Sequence, residues 1–199
     1  SAGLGTVPAD QTYLDISQGN RLFDSLYADP APPLYLRKGR VPERFWDAAL
    51  ARAEDAPADL VPGLLADELR SARIPIGAAP SAREAALVAV DSAGAVAKRA
   101  ECARGPCPGL TVLSAEPEAV PSLLAGIGAG DLLVVLERPP PVGRLLSIGI
   151  AGDGFAGVLA SPTTRIDGFV LSTDLAPTIL DLLALPVPAA MSGSTLVDA

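Results

Sequence analysis

The chain has 199 residues, 49% of them hydrophobic but only 4% aromatic, so a core of domain size is built from Leu, Val, Ile and Ala rather than from rings. A formal net charge of −8 disfavours nucleic acid or an anionic membrane surface as a partner, and no basic patch stands out. The complete absence of His removes imidazole general bases, Ser-His-Asp triads and the commonest metal ligand.

Residues 1–40 read as an irregular segment that includes the Pro-rich loop ADPAPPLYLRKGR at 28–40. Within it, YLDISQGNRLFDSLY predicts a short helix whose Leu14, Leu22 and Leu26 face inward. Two helices follow, over 43–55, with Phe45, Ala49 and Arg52 at helical spacing, and over 61–73, with Pro62 in the first turn. IPIGAAP predicts a short strand, AALVAVD (85–91) a buried strand, and 95–99 a weaker one after an Asp-Ser-Ala-Gly turn. In ECARGPCPG, Gly105 and Pro106 favour a turn that brings Cys102 and Cys107 within bonding reach, which points to a disulfide and an oxidising compartment; two separate thiols are the alternative.

Beyond the cysteines, LTVLSA (110–115) reads as a strand, 116–127 as a helix, and DLLVVLER (131–138) as an almost wholly apolar strand of the kind covered on both faces. RLLSIGIAG and FAGVLAS predict a hairpin around Gly152–Gly154, and GFVLST (168–173) leads as a strand into a final helix. The glycines of GIAGDGFAG lack the Lys-Ser/Thr of a phosphate loop and the spacing of a dinucleotide fingerprint, and so fit a hairpin turn. SPTTR (161–165) offers hydroxyls and an Arg to an anion. Asp153, Asp167 and Asp174 lie near these loops without the spacing of a calcium loop. No run approaches the ~20 apolar residues of a membrane span. The chain opens on Ser rather than Met, which reads as a processed or cut chain. The alternation of elements predicts one layered α/β domain over 1–199, its sheet mainly parallel with an antiparallel hairpin at one side.

The stretch TDLAPTILDLLALPVPAAMSGSTL, within 172–196, is first a well-punctuated helix: Thr173 or Asp174 caps it, Pro177 falls in its first turn, Leu175, Ile179, Leu182 and Leu183 share a face, and Pro186 and Pro188 stop it. Its residue order resembles the TDIAPT-LLDL-GIPVP…GxSL segment of sulfatases and related members of the alkaline phosphatase superfamily. Over about 24 residues the likeness concerns scaffold near the end of the core. ADQTYLDISQGNR (9–21) is similar to the HLNIGAGR segment of cofactor-independent phosphoglycerate mutases, with Tyr13-Leu14-Asp15-Ile16 on HLNI and Gly19 on the final Gly.

The resemblance implies a three-layer α/β/α sandwich, with the family's first strand and its early Asp ligand lying before Ser1. It implies a nucleophile at a helix N-terminus, ten residues before Gly19, and that position reads Ala9; a shift in register places Thr12 there instead. It also implies Asp and His metal ligands, including an Asp-His pair after a central strand, and the exit of DLLVVLER reads Glu137-Arg138. The expectation is therefore a non-catalytic alkaline-phosphatase-like domain without cofactor, extracytoplasmic or in the cell envelope, used for binding or as part of a longer chain, with no nucleic acid and no membrane insertion. The alternative is a divergent phosphate- or sulfate-ester hydrolase that holds a divalent metal through Asp and Glu.

Overall fold

The protein is described by a computed structural model that covers residues 8–96, 109–139, 145–152 and 154–199. Its elements are mixed α and β. Helices α1 (Ala9–Gln18), α2 (Glu43–Glu54) and α3 (Leu64–Ser71) precede strands β1 (Ile76–Ala78) and β2 (Leu110–Val112). Helix α4 (Val120–Ala125), strands β3 (Leu132–Leu136), β4 (Ile148–Gly152) and β5 (Leu159–Ala160), helix α5 (Leu175–Leu182) and strand β6 (Val197–Asp198) follow. Among the described residues the strands form three two-stranded sheets: β1 and β2 parallel, β3 with β4 and β5 with β6 antiparallel.

Each helix follows from local chemistry. Pro8 fixes the entry to α1, and Gly19 ends it in the left-handed conformation at φ 61. That glycine is needed twice over, since a Cβ there would sit 2.7 Å from Met191 Cγ. Helix α2 starts at Pro42 and buries Trp46, Ala49, Arg52 and Ala53 along one stripe. Helix α3 buries Leu65, Ala66 and Leu69, each with no exposed surface. One core joins these helices to α5 through Leu14, Ile16, Leu87, Val90, Leu175, Leu180 and Met191. At ~25 cal/mol per Å² of apolar surface, such Leu and Val burial supplies the main favourable contribution to folding.

Several elements differ from the sequence expectation, and each difference has a physical reason. The first helix lies at Ala9–Gln18, and Gly19 stops it before Leu22 and Leu26, the latter 48% exposed. Of the run 85–91, residues 85–89 belong to a 3-10 segment, Pro80–Ala89, kinked at Arg83 (φ 47, ψ −125), and Val90 makes a single antiparallel bridge with Val96. A fully buried apolar run such as Ala86–Val90 carries no period that separates strand from helix, and Pro80 with its alanines favours the latter. Among the described residues, the hairpin around Gly152–Gly154 shrinks to one bridge, Gly152 to Phe155. Strand β4 instead pairs over five residues with β3, setting Val134 opposite Ile150 and Leu136 opposite Ile148, a longer apolar match than two-residue β5 offers. Strand β3 is half-buried throughout rather than covered on both faces. Phe169 and its neighbours form no strand; a 3-10 turn, Ser172–Asp174, leads into α5.

Candidate functional site

The two stretches that carry the family resemblance meet in space. The Gly19 carbonyl, at the end of α1, accepts hydrogen bonds from the backbone N–H groups of Ser192 (2.9 Å) and Gly193 (3.2 Å). Asn20 donates through Nδ2 to the carbonyls of Ala190 and Asp59, both at 2.9 Å, and accepts the Ser192 hydroxyl at 2.7 Å. Gly193 allows the approach: a Cβ at that position would collide with the Thr173 carbonyl. Asp174, with no exposed surface, ties the other end of the segment. Its carboxylate accepts the N–H groups of Leu171 (2.8 Å) and Ser194 (2.9 Å) and the Thr163 hydroxyl (2.8 Å). Thr178 extends the lock, donating to the Asp174 carbonyl and accepting the Leu196 N–H. The SPTTR hydroxyls are thus engaged in this scaffold: Ser161 accepts the Thr163 N–H, and Thr163 holds Asp174.

At the other end of α1 lie the positions expected to carry chemistry. Ala9 opens the helix and offers no functional group. Thr12 is buried, and its hydroxyl donates back to the Pro8 carbonyl at 3.3 Å. The next residue, Tyr13, is also buried, and the loop and strand exits around it bring the charges of Glu84 and Arg138 near. Burial raises the Tyr13 phenol above its ordinary range, Arg138 pulls it down and Glu84 pushes it up. Arg138 pairs with Glu84 at 3.3 Å, one residue beyond the left-handed Arg83. Glu137 turns the other way, its carboxylate accepting the Ser147 N–H at 3.0 Å across the β3–β4 ladder. The structure therefore brings Arg138 to α1 but leaves Glu137 on the hairpin. The phenol therefore stays protonated at neutral pH beside a Glu-Arg pair, and among the described residues no hydrogen bond joins it to a base.

The sequence reading passed over a third group. Inside α1, Asp15 is 3% exposed and accepts the side-chain amides of Gln11 (2.7 Å) and Gln18 (3.3 Å). Burial raises its carboxyl to about 7, against the pull of the Gln11 amide and of the Arg21 and Arg52 charges. Arg52, on α2, reaches in to Gln11 Oε1 at 2.7 Å, holds the Asp29 carbonyl and Asp24, and stacks 3.4 Å over the Tyr27 ring. The guanidinium of Arg21 is buried too, and none of its three nitrogens has a hydrogen-bond partner among the described residues. One signal was available: Arg52 falls on the inward stripe of α2, where a charge needs a buried partner.

Cys102, Cys107 and Asp153 lie outside the described residues. Asp167 is exposed, away from the buried Asp174. Among the described residues no group of three or more Cys, Asp and Glu side chains comes together as a metal site, and no helix is long and apolar enough to cross a membrane. No family model, curated protein or solved structure matches the chain.

Proposed function

We propose that the chain is a non-catalytic, alkaline-phosphatase-like domain: a three-layer core of the superfamily type that binds or supports a partner, or the remainder of a longer chain, in the cell envelope or outside the cytoplasm. The contact between Gly19-Asn20 and Ala190–Gly193 carries this reading, because it joins the two stretches whose order resembles the superfamily scaffold. The start of α1 supports the non-catalytic half of the proposal. Ala9 has no group to attack with, Thr12 spends its hydroxyl on Pro8, and Arg138 at the exit of β3 repels a cation. The Cys102–Cys107 spacing supports an oxidising compartment.

Turnover of phosphate and sulfate aryl esters tests it, measured with Mg²⁺, Mn²⁺ and Ca²⁺ in turn. The expected rate equals that of buffer with every ion. Metal-dependent hydrolysis that Thr12→Val or Glu137→Gln abolishes would establish the competing divergent hydrolase instead.

A further inference from the structure

Four of the fifteen basic residues of this acidic chain fall within eight positions, Arg37, Lys38, Arg40 and Arg44, and the fold gathers them. Arg37 and Arg40 pair across a two-residue turn in which Lys38 (φ 54) and Gly39 (φ 77) are both left-handed, the geometry of a tight hairpin. The turn is fastened to the body of the protein: the Val96 N–H donates to the Gly39 carbonyl and the Val41 N–H to the Gly94 carbonyl, both at 2.9 Å. Arg40 adds a bond from Nη2 to the Ala93 carbonyl.

Immediately after it, α2 begins at Pro42 without a side-chain cap. A concavity of about 610 Å³ opens between turn and helix, lined by Tyr35, Arg37, Arg40 and Arg44, with Glu43 as its single acid. Arg44 lies over the Phe45 ring at 4.4 Å, and Tyr35 meets the same ring edge-on at 5.7 Å. Stacking fixes the plane of the Arg44 guanidinium and leaves its N–H edge for an acceptor lying in that plane.

Among the described residues, none of these four cations forms an ion pair. In a chain of net charge −8, this positive charge on one turn has no acidic partner among the described residues. Three guanidinium groups around one concavity match the oxygens of a tetrahedral oxyanion, and the exposed Tyr35 ring suits a flat apolar group attached to it.

We propose that this concavity binds a phosphate or sulfate group carried on a small ring-bearing molecule. A polyanion such as nucleic acid fits less well, because the concavity is lined by residues 35–44 alone and the chain as a whole carries a net charge of −8. The site lies at the N-terminus of α2, and Tyr13, Glu84 and Arg138 are not among its lining residues, so it holds whether or not the domain turns over esters.

Calorimetric titration with phenyl phosphate, phenyl sulfate and inorganic phosphate tests it. The expected result is saturable binding of at least one phenyl ester with a Kd below about 1 mM, tighter than inorganic phosphate and weakening as salt is raised. Arg37→Ala/Arg44→Ala should weaken it at least about tenfold while leaving the melting temperature unchanged, since both side chains are exposed. Absence of saturable binding would overturn the proposal, as would equal affinity in the double variant. Tighter binding of a single-stranded oligonucleotide than of either ester would overturn it in favour of a polyanion surface.

Discussion

Two carboxylates sit in the same core, and their surroundings could hardly differ more. Asp174, at the entry to α5, is met by two backbone N–H groups and a hydroxyl drawn from three separate segments: Leu171, Ser194 and Thr163. Asp15, inside α1, is met by two amides from its own helix and by the more distant charges of Arg21 and Arg52. The turn that carries Asp174 packs on α1, so the two environments are neighbours. Backbone donors are fixed by the fold and hold an anion in one geometry, whereas side-chain amides accommodate either protonation state. The C-terminal region is therefore a lock, and the interior of α1 is a place where charge adjusts to conditions.

The largest effect expected from breaking this contrast is at the lock. Asp174→Ala strands the Leu171 and Ser194 N–H groups and the Thr163 hydroxyl, so it should cost about 4 kcal/mol in urea unfolding, from three lost partners at ~1–3 kcal/mol each. Asp174→Asn should restore part of that loss, because the amide keeps one acceptor oxygen. A loss below about 1 kcal/mol for the alanine variant would show that other bonds hold the segment.

The interior of α1 should respond to pH instead. With the Asp15 carboxyl near 7 in the folded chain and at its ordinary 3.8 when unfolded, the folded state keeps a proton that the unfolded state has lost between those values. Stability from this group is therefore fully present below about pH 4, falls as pH rises, and is gone above about 7. Asp15→Asn removes the titration while retaining an oxygen acceptor for Gln11, so the variant should lose this slope and gain on the parent protein at pH 8 relative to pH 5. Urea midpoints at the two pH values decide it; identical slopes in both proteins would mean that Asp15 stays ionised on folding.

How far the sequence foretold these regions depended on whether the information was local. Helix α2 was legible to within a residue at its ends, because Phe45, Ala49 and Arg52 recur at helical spacing, although the buried stripe holds Trp46 where Phe45 was expected to face inward. The resemblance in 172–196 marked a segment that the fold uses intensively, yet the partners of Asp174 lie up to 20 residues away and had no visible spacing. Asp15 was counted only as part of a motif, since nothing in DISQ reveals that its surroundings exclude water. The basic turn at 37–44 was missed for a different reason: it was spread over a Pro-rich loop and a helix start, and became a cluster only once the Lys38-Gly39 hairpin closed. Strand pairing was the least legible of all. Apolar runs of similar length compete for partners, and β4 chose β3 over its neighbour β5 on the number of matched residues.

The smallest effect belongs to the pair on the outer side of α1, and it separates position from stability. Arg138 and Glu84 are both well exposed, so water screens their attraction, and Arg138→Ala should change stability by less than about 1 kcal/mol. Both charges nevertheless act on the buried Tyr13 phenol from opposite directions. Arg138→Ala should therefore move the Tyr13 titration further up, and Glu84→Gln should move it down, each followed through the ring Cζ resonance by NMR. Shifts of opposite sign with nearly unchanged unfolding midpoints are the expected pattern. If neither variant moves the phenol, the ion pair does not reach α1, and the β3 exit and the start of α1 do not form one electrostatic unit.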